Sequence, residues 1–317
     1  MPPPGSRWRY RCSTCGMEQQ LPQRSLGRTG ARVSIVGVGG FHLGGIEEAE
    51  AVRIIRTAVD HGMTFLDNSW DYHGGASEER MGRALAGGYR ERAFLMTKID
   101  GRTWESANAQ LEESLLRLRT DRVDLLQFHE IIRMEDADRI FAPGGALEAV
   151  VAAREAGKLR FIGFTGHKSP EILLHMLSVA DAHGFTFDAV QLPLNPMDAH
   201  VESFEKMVLP VLEARGTGVL GMKPLGAGKL LESDTVSAEE CLRYALSLPT
   251  STVITGCDSM KVLDQAVRVA RAFSPYTADE MNALRERTRQ PALGRAFEPY
   301  KTTAEHDSTA QNPRWLG

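Results

Sequence analysis

The chain has 317 residues, of which 42% are hydrophobic and 25% charged, with a formal net charge of -4. These are the proportions of an ordinary globular protein, and they exclude collagen-like and disordered classes. The charge supplies no basic field for nucleic acid or an anionic membrane, and no apolar run approaches the roughly 20 residues needed to cross a bilayer.

Residues 1–16, MPPPGSRWRYRCSTCG, are rich in Pro and Arg and carry no periodic pattern or continuous apolar core of a signal peptide. They read as a disordered tail or as residues upstream of the true start, with a domain over 17–317 opening at Met17. Cys12 and Cys15 form a lone C-x-x-C without the second ligand pair of a structural zinc site, so two free thiols is the plainer reading. With Cys241 and Cys257 they make four cysteines, too few for a disulfide framework in a chain this long, which points to a reducing cytoplasm.

RSLGRTGARVS (24–34) places a Gly-containing turn between two short runs and predicts a β-hairpin. Eight short apolar runs follow, at 33–39, 64–67, 93–99, 123–129, 159–166, 188–195, 218–224 and 251–256. Amphipathic stretches separate them. In EEAEAVRIIRTAVDHG the apolar Val52, Ile55 and Val59 recur at helical spacing, and in SPEILLHMLSVADAHG Ser169 is a fitting N-cap, Pro170 a first helical residue and Gly184 a stop. The stretch 130–145 reads as a long loop, and a further helix is expected near 277–289.

Strict alternation of apolar strands with helices means a parallel sheet covered on its outer face. The glycines of GVGGFHLGG (37–45) are not followed at once by a helix, as an open dinucleotide fold would require. Eight units without a composition break favour the α/β class, as one (β/α)8 TIM barrel with an N-terminal β-hairpin and an extra C-terminal helix.

Chemistry in such a barrel gathers at the carboxyl ends of the strands. Three successive strands end in an ionisable group: TFLD in Asp67, AFLMTKI near Lys98, DLLQFH in His129, with Tyr72 on the loop after the first. Singly, each has a bland reading as a helix cap, a snorkelling lysine, a core histidine or a packing tyrosine. Jointly they must pair to be tolerated in one barrel mouth. A phenol has a pKa of about 10, and a cation within ~4–6 Å lowers it by about 1–3 units. Asp67 is therefore expected to hold Lys98, and Lys98 to bring Tyr72 down towards a usable acid.

These residues resemble the aldo-keto reductases. FLDNSWDYHGGASEERMGRAL is similar to that family's Asp-to-Tyr signature, MTKI to its lysine strand and LLQFH to its histidine strand, from Met17 to about Ala272. The resemblance implies reduction of aldehydes or ketones by NADPH, with NADH as an alternative. Tyr72 would be the general acid and His129 the group orienting the carbonyl of a small-molecule substrate, without a metal, in a monomer or small homo-oligomer. It further implies cofactor contacts from Gly40, Phe41, Thr165, Gln191 (the carboxamide), Met222 (the nicotinamide face) and Lys223. Leu225, Gly226 and Gly228 would surround the pyrophosphate, and Gly256 and Asp258 the adenosine end. Departures from the pattern are Gly166 for Asn, Met222 for an aromatic, and an acid at Asp258 with Val262 where a 2′-phosphate is usually bound. Two rival readings stand beside this one: a cofactor-binding sensor with weak turnover, and a lyase using Lys98 as a Schiff-base amine. Phe41, Trp70 and His73 are candidates for the substrate mouth, and His167 and Lys168 are expected to face solvent.

Overall fold

A computed structural model describes residues 21–317. The reading of residues 1–16, of Cys12 and Cys15 and of a start at Met17 lies outside the described residues.

The hairpin pairs β1 (Gln23–Ser25) with β2 (Arg32–Ser34) in antiparallel register. Its turn is pressed against the segment entering a later strand: Gly27 has φ +49°, and a Cβ there would lie 2.5 Å from the Gly216 carbonyl oxygen, so only glycine serves. Eight strands then close into a parallel barrel. They are β3 (Val36–Gly39), β4 (Phe65–Asp67), β5 (Phe94–Ile99), β6 (Val123–Phe128), β7 (Leu159–Thr165), β8 (Ala189–Pro193), β9 (Gly218–Met222) and β10 (Thr252–Gly256). Each lies within its predicted run, and β10 pairs with β3 to seal the cylinder.

Alternation along the strands separates floor from mouth. Phe65, Phe94, Met96, Leu125, Ala189, Leu220 and Ile254 form one buried apolar cluster, with Leu26 and Val33 of the hairpin packed into it from below. Phe65 and Phe94 stack with ring centroids 5.0 Å apart, and each such side chain buried contributes about 1.5–3 kcal/mol. Two residues further along the same strands the same parity brings Asp67, Lys98 and Gln127. A period of two thus stacks a polar ring on a greasy plug.

Around the barrel lie α1 (Glu48–Asp60), α2 (Ala76–Ala84), α3 (Trp104–Leu118), α4 (Met134–Phe141), α5 (Ala146–Glu155) and α6 (Pro170–Ala182). They are followed by α7 (Phe204–Met207), α8 (Leu209–Arg215), α9 (Ala238–Ser247), α10 (Met260–Arg271) and α11 (Ala278–Leu293). Ile54 joins Ile55 and Val59 on the buried face of α1, while Val52 is half-buried. The Ser169 hydroxyl accepts from the Glu171 amide at 3.2 Å, as an N-cap should. Among the described residues no helix is long and apolar enough to cross a membrane.

The expected loop at 130–145 is instead interrupted by α4. Asp136 accepts from the backbone amides of Ile132 and Arg133 at 3.1 and 3.0 Å, which caps the start, and Ala137, Ile140 and Phe141 supply a buried face. Two turns of helix are too short for their periodicity to stand out in the sequence. The extra helix is present as α11, begun by a reciprocal cap between Thr277 and Glu280 and running to Leu293. Beyond it, residues 295–317 run back across the mouth end of the barrel.

Candidate active site

Lys98 is the centre of the mouth. It is buried, and its ammonium donates to Asp67, to the Asn68 carbonyl at 2.8 Å and to the Tyr72 hydroxyl at 3.2 Å. The strands carry these groups by register: Asp67 is opposite Met96 on β5, and Lys98 stands one pleat above it. Tyr72 comes from the short turn Tyr72–Gly75, in which His73 takes φ 53° and Gly74 φ 64°. His129 follows β6, with its ring 6.0 Å from that of Tyr72 and perpendicular to it. The four predicted residues therefore meet at one place.

The expected effect on Tyr72 is reversed. Burial, then the negative charges of Asp67, Asp71, Glu130 and Asp100, push its phenol well above the ordinary value. Lys98 is outweighed because Asp67 already engages it at closer range than Tyr72 does. His129 moves up as well: burial opposes its charged form, but the charge of Asp71, a hydrogen bond donated to Asp100 and the charge of Glu130 more than offset that.

Gln191 on β8 donates to the free oxygen of Asp67 at 2.9 Å, while its own side-chain oxygen is buried without a partner among the described residues. The Thr165 hydroxyl lies 3.9 Å from the Met222 sulfur. Gly166 has no room for a side chain, since a Cβ would fall 2.5 Å from both the Ile131 carbonyl oxygen and a Leu173 methyl. The Gly40 amide donates to the Asp67 carbonyl at 2.7 Å. Phe41 is 53% exposed and meets the Tyr72 ring edge-on at 5.3 Å.

Lys223 takes φ 50°, and its ammonium lies over the Tyr300 ring, 5.3 Å from the centroid. Burial, with Lys98 adding and Glu130 opposing, brings it down to about 8. The amides of Gly226 and Gly228 donate to the carbonyls of Lys223 and Leu225, both at 2.9 Å, so these two are occupied inside the turn. Leu225 itself is half-buried. A Cβ on Gly256 would collide with the His42 ring. Asp258 is exposed and accepts from the Ser259 hydroxyl at 3.1 Å.

Trp70 stands between the rim and the mouth: its ring nitrogen donates to Glu113 at 2.7 Å and its ring meets Trp315 edge-on at 5.4 Å. His73 is exposed and stacks obliquely on Phe41 at 5.0 Å. The expectation that His167 and Lys168 face solvent does not hold. His167 is buried beside Asp307 at 3.2 Å, and half-buried Lys168 reaches the same carboxylate at 2.7 Å. Burial holds the His167 ring neutral, down to about 3.

A family model described as the aldo/keto reductase family matches residues 35–241. The chain belongs to that family. The aldo/keto reductase is 31% identical to L-galactose dehydrogenase of Arabidopsis thaliana, over 67% of this chain and 68% of that one. It is 26% identical to an uncharacterised oxidoreductase of Bacillus subtilis, over 85% and 97%. The fold matches the holo form of an aldo-keto reductase from Bacillus halodurans with a TM-score of 0.70 at 22% identity, covering 84% of this chain and 96% of the other.

Several groups in the reductase's mouth were not singled out from the sequence. Asp100 and Glu130 directly follow the lysine and histidine strands in MTKID and FHE, and both are buried. Arg102 is wholly buried and donates to the carbonyls of Asp100, His129 and Glu130 at 2.6, 2.8 and 3.1 Å, which ties the ends of β5 and β6 together. The returning C-terminal segment supplies Tyr300, Asp307 and Thr309, the last donating its amide to Glu130 at 3.0 Å. A buried acid one residue beyond each functional strand end was the signal available in the sequence.

Proposed function

We propose that this oxidoreductase reduces a small aldehyde or ketone to an alcohol at the Asp67–Tyr72–Lys98–His129 cluster, using a dinucleotide cofactor. What carries the reading is the contact of Lys98 with both Asp67 and the Tyr72 hydroxyl. The same ion pair argues against a Schiff-base lyase, which needs a free, neutral amine, because the Lys98 amine is engaged by Asp67.

The partnerless buried oxygen of Gln191 is the kind of acceptor that a carboxamide amino group satisfies, so the residues present suit a nicotinamide. When bound there, a reduced nicotinamide would supply a hydride to the carbonyl carbon. Tyr72 gives its hydroxyl proton to the carbonyl oxygen. Its raised pKa does not prevent this, because an alkoxide is a far stronger base than a phenolate. It also keeps Tyr72 protonated, and so ready, across the neutral range. Lys98 stabilises the phenolate left behind, and His129 orients the carbonyl. By resemblance, Lys223 and the turn Leu225–Gly228 would surround the pyrophosphate, and Lys223 would supply a positive charge to meet it.

NADPH is the default by resemblance to the family, with Asp258 favouring a free 2′-hydroxyl. The name of the Arabidopsis relative, an L-galactose dehydrogenase, makes sugars a first class of substrate to assay. The experiment is a panel of aldehydes, ketones and aldoses with both cofactors, run beside Tyr72→Phe. Turnover should fall by about 10²–10⁴-fold in the variant, with cofactor binding kept. Full activity in Tyr72→Phe would remove Tyr72 from the mechanism, and cofactor binding without turnover of any carbonyl would favour a sensor.

A further inference from the structure

The amino ends of the barrel strands, opposite the mouth, open into a cavity of about 880 Å³. Six arginines line it: Arg32 of β2, Arg90 and Arg92 before β5, Arg119 and Arg122 between α3 and β6, and Arg160 of β7. The acids in the same wall are Glu91, Asp121 and Asp124, which leaves an excess of three positive charges. The chain as a whole has a formal net charge of -4, so this basin runs against the sign of the molecule.

Two of the arginines are spent on structure. Arg90 donates to the Thr120 hydroxyl at 3.3 Å and to the carbonyls of Ala93 and Arg122 at 3.1 and 2.9 Å, and meets Asp124 at 3.2 Å. Arg92 is held by Asp60 at 2.8 Å and by the Val59 carbonyl at 3.2 Å. The other four are less engaged. Buried Asp124 binds Arg160 through its second oxygen at 2.9 Å, so one carboxylate serves two guanidiniums, and the Arg160 side chain stays 52% exposed. Arg32 makes one hydrogen bond, to the Gln23 carbonyl at 2.6 Å. The exposed guanidiniums of Arg119 and Arg122 have no hydrogen bond or ion pair among the described residues. Arg119 also ends α3 in the left-handed region, with φ 54°, where glycine is the easier residue.

Arg119 borders a second, smaller hollow of about 480 Å³ as well, lined by Leu115 and Leu116. Leu116 is 79% exposed. Unpaired guanidiniums beside a bare apolar side chain suit a ligand with both characters. The planar guanidinium fork matches phosphate oxygens in pairs, and three surplus charges suit a dianionic phosphate better than a single carboxylate. We propose that this basin binds a small phosphate ester, its phosphate among Arg119, Arg122 and Arg160 and its organic part against Leu116. The site lies at the opposite end of the barrel from the tetrad and is independent of the reduction proposed there.

Isothermal titration calorimetry with phenyl phosphate and inorganic phosphate tests this, at low ionic strength where surface charges are least screened. Phenyl phosphate should bind, and more tightly than inorganic phosphate. Arg119→Ser combined with Arg122→Ser should weaken it by about tenfold or more, and Leu116→Ser should bring the ester down to the level of inorganic phosphate. Should Arg119→Ser disturb the end of α3 in circular dichroism, Arg122→Ser alone carries the same test with a smaller loss. Lys223→Met, at the mouth, should leave phenyl phosphate binding as it is, and the arginine variants should leave carbonyl turnover as it is. No binding by wild type, an affinity unchanged in the arginine variants, or an ester bound no better than inorganic phosphate overturns the proposal. So does a loss in Lys223→Met instead, which would put the phosphate at the mouth. An ester bound by a protein that reduces no carbonyl would support the basin and refute the functional reading alone.

Discussion

The Lys98 ammonium lies 3.2 Å from the Tyr72 hydroxyl and closer still to Asp67, with the Asn68 carbonyl at 2.8 Å as its third acceptor. All three ammonium hydrogens are therefore directed, and Asp67 is left with Gln191 as its other donor. Removing the charge in Lys98→Met strands a buried carboxylate, a loss of about 3–5 kcal/mol. Denaturant unfolding of Lys98→Met and of Lys98→Met with Asp67→Asn should show the double variant recovering much of that loss. If the single variant is as stable as wild type, the pair is not what holds the mouth together.

Tyr72 keeps its proton because burial and four carboxylates outweigh one shared ammonium. Ultraviolet titration of the cofactor-free protein, compared with Tyr72→Phe, should show no phenolate from this residue below pH ~10. Ionisation of Tyr72 near neutrality would mean that Lys98 acts on it more strongly than the geometry indicates.

Cofactor choice turns on Asp258. It is exposed at the end of β10, with Lys261 the nearby cation of the segment, also exposed. A carboxylate there repels a 2′-phosphate and can bond a 2′-hydroxyl. Asp258→Ser should tighten NADPH relative to NADH by about tenfold, or ~1.4 kcal/mol, in fluorescence titrations of both cofactors. An unchanged ratio would place the ribose elsewhere.

Acid sensitivity should come from the contact between β7's loop and the C-terminal segment. His167 is buried and held down to about 3, and Asp307 is held below the ordinary carboxylate range by its bonds to His167 and Lys168 against the pull of burial. A histidine depressed in the folded state binds more protons when unfolded. Its contribution is present above pH ~6.5 and is lost as pH falls from there towards 3. Asp307 adds a loss of the same sign at lower pH. Thermal melts from pH 7 to 4 should fall more steeply for wild type than for His167→Gln, and parallel curves would count against this origin.

The strand count, the hairpin and the meeting of Asp67, Lys98 and His129 were legible because each is written at short range. A period of two sets which residues face inward, and the end of an apolar run marks the height at which they emerge. Membership of the aldo/keto reductase family followed from the same strand ends. The helix inside 130–145 was not legible, since two turns leave too little periodicity. The burial of His167 depends on Asp307, 140 residues away.

By itself, then, the order of residues determined the barrel and which side chains stand at its rim, because backbone alternation is local. Only the tertiary structure decided their charges. How far a phenol or imidazole holds its proton depends on the sum of burial and of every charge nearby, and at this mouth those charges arrive from the ends of β4, β5 and β6. That is why Tyr72 moves up rather than down, and why Asp100, one residue past a recognised strand end, becomes the partner of His129.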